Sequence, residues 1–191
     1  MKTLLVTGFE PFGGRSDNPS WEAVSLLPDR TEAGSIVKLR LPVTFAGAAE
    51  LALLEAERTH ADAVLAVGLA AGRRAITPEA VAINLMEAAI PDNRGFMPVN
   101  IPAAPGEREA YFSTLPIRKI RDEVSAAGIP CALSYSAGTF VCNDLMYRLL
   151  RAFEGTGRAA GFIHVPDLDA VSIRDDARAL LIAAEVILSS I

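Results

Sequence analysis

Histidine is scarce in this chain, present only as His60 and His164. With no Cys-x-x-Cys and no His-Glu-x-x-His spacing, the sequence offers no ligand set for a metal. Cysteine is equally scarce. Two thiols, Cys131 and Cys142, make no disulfide framework, and a reducing cytoplasm is the expected setting. Basic residues are outnumbered, 18 Lys and Arg against 23 Asp and Glu, for a net charge of −5. That balance argues against nucleic acid or an anionic membrane as partner. No apolar run reaches the roughly 18–20 residues that cross a bilayer. The apolar part of Met1–Gly8 is too short for a secretory signal and reads as a first strand. No Gly-x-Gly-x-x-Gly occurs. The Gly8 to Gly13 loop continues with Gly14 and Arg15 rather than Lys and Ser or Thr, so it is not a phosphate loop. No cofactor is expected.

Apolar residues are abundant, 51 % of 191, which is enough for one large core and for a single domain over residues 1–191. Short apolar runs alternate with helical ones. Strands are expected at Lys2–Thr7, Ile36–Val43, Ala63–Val67, Val81–Met86, Cys131–Tyr135 and Ala159–Val165. Helices are expected after Asn18-Pro19-Ser20, over Phe45–Arg58, from Pro116 to about Ala127, over Leu145–Phe153, and after a cap at Asp169 or Ser172. Four prolines and two glycines make Ile90–Gly106 a long irregular loop. The order predicts an α/β fold: one three-layer domain, with a mostly parallel or mixed central sheet and helices on both faces. Ligands of such sheets bind at the carboxyl ends of strands. The loops after Thr7, Val67, Tyr135 and Ile163 lie there.

One of these loops carries a thiol. Gly138-Thr139-Phe140-Val141-Cys142-Asn143-Asp144 follows the Cys131–Tyr135 run and leads into a helix. The first turn of a helix has free N–H groups and a positive dipole end, which favour a thiolate and a developing oxyanion. Cys131, inside an apolar run, reads as a small buried hydrophobe. His60 reads as a residue at a helix C-terminus. His164 closes Gly161-Phe162-Ile163 where a strand meets a loop, and Glu79 follows Pro78 at a sheet edge. Cys142 as nucleophile, His164 as base and Glu79 as the group orienting its ring fit one scheme of acyl transfer. Phe9 and Phe12 stand three apart on a stiff turn. They read either as lids over the strand ends or as a flat apolar pocket wall.

These blocks carry a resemblance. Thr7-Gly8-Phe9-Glu10-Pro11-Phe12-Gly13-Gly14 with Asn18-Pro19-Ser20, Pro78-Glu79 with Val81-Ala82-Ile83-Asn84, Ile90-Pro91-Asp92-Asn93, Ser136–Asn143 and Gly161–Pro166 together resemble the pyroglutamyl peptidase I family of cysteine peptidases. The resemblance spans nearly the whole chain in order. It implies removal of an N-terminal pyroglutamate from peptides by a cytoplasmic, cofactor-free enzyme, commonly a homotetramer. It implies Glu79, Cys142 and His164 as the triad. It places Phe9, Phe12, Asn18, Phe140 and Val141 in the lactam pocket, with Leu69 meeting the lactam through its backbone. Two departures stand out. Glu87-Ala88-Ala89 replaces the usual Asp-Ala-Arg, and Ala71 replaces a usual glycine. Ala89 opens an alternative, a lactam-binding protein with weakened catalysis, unless Arg73 or Arg94 supplies the missing guanidinium.

Overall fold

The computed structural model describes residues 1–191. In chain order its elements are β1 (Thr3–Phe9), α1 (Pro19–Ser25), β2 (Ser35–Leu41), α2 (Gly47–Arg58), β3 (Ala63–Leu69), β4 (Thr77–Pro78), β5 (Val81–Ile83), β6 (Ala110–Phe112), α3 (Ile117–Ala126), α4 (Val141–Phe153), β7 (Ala159–Val165) and α5 (Ile173–Ser190). The central sheet runs β2-β1-β3-β7-β4. Its first four strands are parallel, and β4 pairs antiparallel with β7 at the edge. The expected α/β architecture with a mixed sheet is therefore found.

The strand sequences explain the layering. Every residue of β3 and β7 is buried, as befits strands covered on both faces. Alternate side chains feed two separate cores. Leu5, Val64, Ala66, Ala160 and Phe162 pack with Ala48, Ala52 and Ala56 of α2 and with Leu145, Met146 and Leu149 of α4. Leu4, Val6, Leu65, Val67, Ile163 and Val165 pack with residues of α1, α3 and α5. Full burial of Leu145, Met146 and Leu149 stabilises by roughly 1.5–3 kcal/mol for each side chain. The parallel strands β1, β3 and β7 end on one edge, at Phe9, Leu69 and Val165. The loops that leave them converge there.

Caps follow the sequence closely. Asn18 caps α1, its side chain accepting from the Ser20 N–H, with Pro19 opening the helix. Ser172, not Asp169, caps α5 by accepting from the Asp175 N–H. His60 lies just beyond α2 with φ 49°, past the helix end rather than in its last turn.

Two expectations need correction. Cys131–Tyr135 is not a strand. It touches the 76–80 segment through two isolated bridges, Ile76↔Cys131 and Glu79↔Ser134. The reason is Pro78. The Ser134 N–H reaches the Pro78 carbonyl at 3.0 Å, but Pro78 has no N–H to return, so the ladder breaks in the middle. Val81–Met86 is likewise shorter as a strand. Val81–Ile83 pairs with Ala110–Phe112 in a separate two-stranded sheet that the sequence does not show, and Met86 makes only an isolated bridge to Ile101.

Candidate active site

The site assembles at the edge where β1, β3 and β7 end. β7 alternation turns His164 to the same face as Phe162, the face covered by α4, and their rings lie 4.7 Å apart. Gly68 of β3 is in register with His164. A Cβ at Gly68 would come within 2.9 Å of the Cys142 Sγ and 2.7 Å of the Phe162 ring, so only glycine fits. The thiol therefore sits against the sheet at the level of His164. Gly138, with φ +78°, makes the turn that brings the chain into α4. Cys142 is the second residue of that helix. The helix gives the Val141 and Cys142 N–H groups no acceptor, so both are free donors beside the thiol.

The next residue locks this helix start in place. Asn143 is fully buried. Its Oδ1 accepts from the Ile83 N–H at 2.9 Å, and its Nδ2 donates to the Ile83 and Leu85 carbonyls at 2.8 and 3.0 Å. Asp144 accepts from the Ala46 N–H at 2.7 Å and from Arg148 Nε at 2.7 Å.

Glu79 lies behind His164. It is fully buried, not a solvated charge at an edge. Its Oε1 is 2.6 Å from His164 Nδ1 and accepts from Arg73 Nη1 at 2.6 Å. Burial pushes the Glu79 carboxyl up, but the hydrogen bond and charge of His164, with Arg73, outweigh it and hold the group below the usual carboxylate range. The Ser134 hydroxyl also favours the carboxylate, although in this structure it donates to the Ser136 carbonyl at 3.2 Å. Burial holds the His164 imidazole below its ordinary value, helped by Arg73 and opposed by Glu79. The Cys142 thiol is pushed up to about 12, first by burial and then by the Glu79 charge, against the pull of Arg73 and its own backbone N–H. The resting centre is thus a neutral thiol, a neutral imidazole and a carboxylate. Since Nδ1 keeps its proton and donates it in a hydrogen bond to Glu79, Nε2 is left as the base. Cys131, by contrast, is half-buried beside the α3–α5 core, with its thiol at about 11 through burial.

Of the residues singled out in the sequence, Phe9, Phe12, Asn18, Leu69, Phe140, Val141, Cys142 and His164 line one cavity of about 410 Å³. Of the expected triad and pocket residues, Glu79 alone stands outside its wall. The phenylalanines are walls rather than strand lids. The Phe12 and Phe140 rings are 6.2 Å apart, and Phe45 backs Phe140 edge-on at 5.3 Å. Asn18 spends most of its amide on architecture. Its Nδ2 donates to the Glu10 carbonyl at 2.9 Å, while its Oδ1 accepts from the Ser20 hydroxyl, which itself accepts from the Phe9 N–H at 3.0 Å. That network fixes the Phe9 wall. Asn93 ties the same loop down by donating to Glu10 Oε1 at 2.8 Å and to the Pro11 carbonyl at 3.0 Å.

Val43, Ala70, Ser136, Ala137 and Gly138 complete the lining and were not anticipated. Their signal, weak in hindsight, was their place in loops at strand ends. Arg73 also lines the cavity. Arg94 is exposed, and so is Ala89, which is not part of the wall. The guanidinium missing at position 89 therefore does not leave the centre without one. No three His, Cys, Asp or Glu side chains converge where a metal could be held.

Comparison with known proteins places this geometry. A family model described as pyroglutamyl peptidase matches residues 2–190. The pyrrolidone-carboxylate peptidase of Thermococcus onnurineus is 49 % identical over 165 residues, covering 85 % of this chain and 82 % of that protein. That of Levilactobacillus brevis is 42 % identical, with 96 % of each chain covered. The crystal structure of Bacillus amyloliquefaciens pyroglutamyl peptidase I superposes with a TM-score of 0.96 at 41 % identity, covering 99 % of this chain and 98 % of that one. With a thiol, an imidazole and a carboxylate set on the matching fold, this chain belongs to the pyroglutamyl peptidase family.

Proposed function

We propose that the chain is a cysteine peptidase that removes an N-terminal pyroglutamyl residue from peptides, with Cys142, His164 and Glu79 as its triad. The observation that carries this reading is the 2.6 Å His164–Glu79 pair beside a thiol on the first turn of α4, at one end of an apolar cavity. The pyroglutamyl ring is flat and uncharged, and suits the Phe9, Phe12 and Phe140 walls. A free α-ammonium would be buried there without a partner, so unblocked N-termini are rejected.

The chemistry follows from the protonation states. As substrate fills the cavity, His164 Nε2 takes the Cys142 proton and the sulfur attacks the scissile carbonyl carbon. The Cys142 N–H receives the developing oxyanion, a contact worth roughly 2.7–4 kcal/mol in comparable sites. Glu79 stabilises the imidazolium so formed. His164 then protonates the leaving amine, the C–N bond breaks, and a thioester remains. Water, deprotonated by His164, hydrolyses the thioester and restores the thiol.

Release of the fluorophore from a pyroglutamyl-arylamide tests this, alongside the matching prolyl and glutamyl compounds. Turnover of the pyroglutamyl compound alone, abolished in Cys142→Ser, is expected. Undiminished turnover in that variant would remove the nucleophile.

We further propose a homotetramer in the reducing cytoplasm, where the Cys142 thiol stays free. Exposed Phe96, Met97, Val99 and Phe112 offer apolar surface for assembly. Sedimentation measures the state. A monomer at micromolar concentration would refute it. No helix is long and apolar enough to cross a membrane.

A further inference from the structure

We infer that Arg73 is a positioning residue of the reaction centre: one guanidinium aligns Glu79 with His164 and ties both to the loop that delivers Cys142. The inference rests on the triad reading above and deepens it. Arg73 Nη1 donates to Glu79 Oε1 at 2.6 Å and to Thr77 Oγ1 at 2.5 Å, and Nη2 donates to the Ser136 carbonyl at 3.0 Å. Each partner belongs to a different part of the site. Glu79 Oε1 is the same oxygen that meets His164 Nδ1. Thr77 lies in β4, directly in register with His164 of β7. Ser136 opens the Ser136-Ala137-Gly138 wall of the cavity, four residues before Phe140 and the start of α4.

The geometry assigns a division of labour on the carboxylate. Oε1 receives two donors, whereas Oε2, also buried, receives none. With both contacts on one oxygen, the Arg73 bond fixes where that oxygen sits, and His164 then has a single place to donate. A planar fork with fixed N–H directions can hold Thr77, Glu79 and the Ser136 carbonyl at once. A lysine ammonium on a flexible stem can supply the charge but not the three directions.

The same cation acts on the imidazole through space. The charged groups that act on His164 are Glu79 and Arg73, and the Cys142 thiol lines the same cavity. Burial is the main influence against protonating His164, and the Arg73 charge adds to it. Without Arg73 the imidazole would hold its proton to higher pH, and the base would be lost over part of the working range.

Arg73→Gln and Arg73→Lys separate the two effects. Two readouts are needed: arylamide hydrolysis against pH, and the rate of Cys142 alkylation by iodoacetamide against pH. In Arg73→Gln, kcat should fall roughly 100-fold, as for a misplaced catalytic group. The acid limb of both profiles should move to higher pH, the direction expected on removing a neighbouring positive charge. Arg73→Lys keeps the charge, so its acid limb should stay with the wild type while only part of kcat returns. An acid limb unmoved in Arg73→Gln, or full kcat in Arg73→Lys, overturns the inference. If Arg73→Gln does not fold, the lysine variant decides alone. Alkylation needs no turnover, so it tests Arg73 even if the arylamide is not a substrate. A wild-type Cys142 that resists iodoacetamide at every pH would instead count against the triad itself.

Discussion

Glu79 and Asp176 are both fully buried carboxylates, yet the protein treats them in opposite ways. Glu79 sits at the carboxyl edge of the sheet with an arginine and a histidine on one oxygen, and is held below the usual carboxylate range. Asp176 sits in α5 on the far side of the sheet. Neither of its oxygens has a hydrogen-bond partner, and burial, with Asp175 nearby, pushes it up to about 7. A buried charge is tolerated where it is paired and suppressed where it is not. The first carboxylate is an instrument of the site. The second is a cost to the fold that grows with pH.

Removing the partnered carboxylate should have the largest effect. Glu79→Gln keeps the shape but takes away the charge that stabilises the imidazolium, so kcat should fall by roughly 10³–10⁴. Arylamide hydrolysis at neutral pH measures it, and a loss under tenfold would break the contrast between the two groups.

The pH profile sharpens the contrast next. His164 must be unprotonated to act, and burial holds it below 6.5. Wild-type kcat/KM should therefore be flat at neutral pH and drop about tenfold per pH unit only below that value. An acid limb above 6.5 would mean that Glu79, rather than burial, governs the imidazole.

Asp176 gives the third effect, on stability alone. Its folded value of about 7 exceeds the 3.8 of a solvated aspartate. The folded state therefore keeps a proton that the unfolded state releases, and stability declines as pH rises from about 4 to about 7, then levels. The loss at pH 8 should be on the order of 2–4 kcal/mol. Asp176→Asn cannot ionise. Whatever constant cost its amide brings, the stability difference from wild type should move in the variant's favour across that window, with kcat unchanged. Urea unfolding at pH 4.5 and 8 reads it. Glu79 contributes with the opposite sign, since its lowered value adds stability that is present at neutral pH and lost on acidification.

The smallest effect is reserved for a cation placed where no carboxylate waits. Ala89 is exposed and outside the cavity wall, and Arg73 already occupies Glu79. Ala89→Arg should change kcat/KM by less than about threefold, well under the tenfold that 1.4 kcal/mol represents. A larger rise would restore the reading in which the missing arginine weakens catalysis.

Much of this could be read from the chain because the signals were local. Apolar runs marked β1, β3 and β7, Asn18-Pro19 marked α1, and Gly138 to Asn143 marked the thiol at a helix start. What escaped depended on distant partners. Three-residue strands such as β5 and β6 carry too few alternations to show a period. The break at Cys131–Tyr135 arises from a missing N–H on Pro78, some fifty positions earlier. Glu79 was legible as the partner of His164, but its complete burial depends on β7 and Arg73 closing over it. Arg73 itself carries no local mark beyond following a glycine at a strand end.

Gly68 fixes how little tolerance the centre has. The room for the Cys142 sulfur is, almost to the atom, the side chain that β3 omits at that position. A single methyl group there would act as a built-in competitor for the thiol, present at every turnover and impossible to wash out. Gly68 leaves the bare backbone behind the sulfur, and the reaction depends on a vacancy that glycine alone leaves.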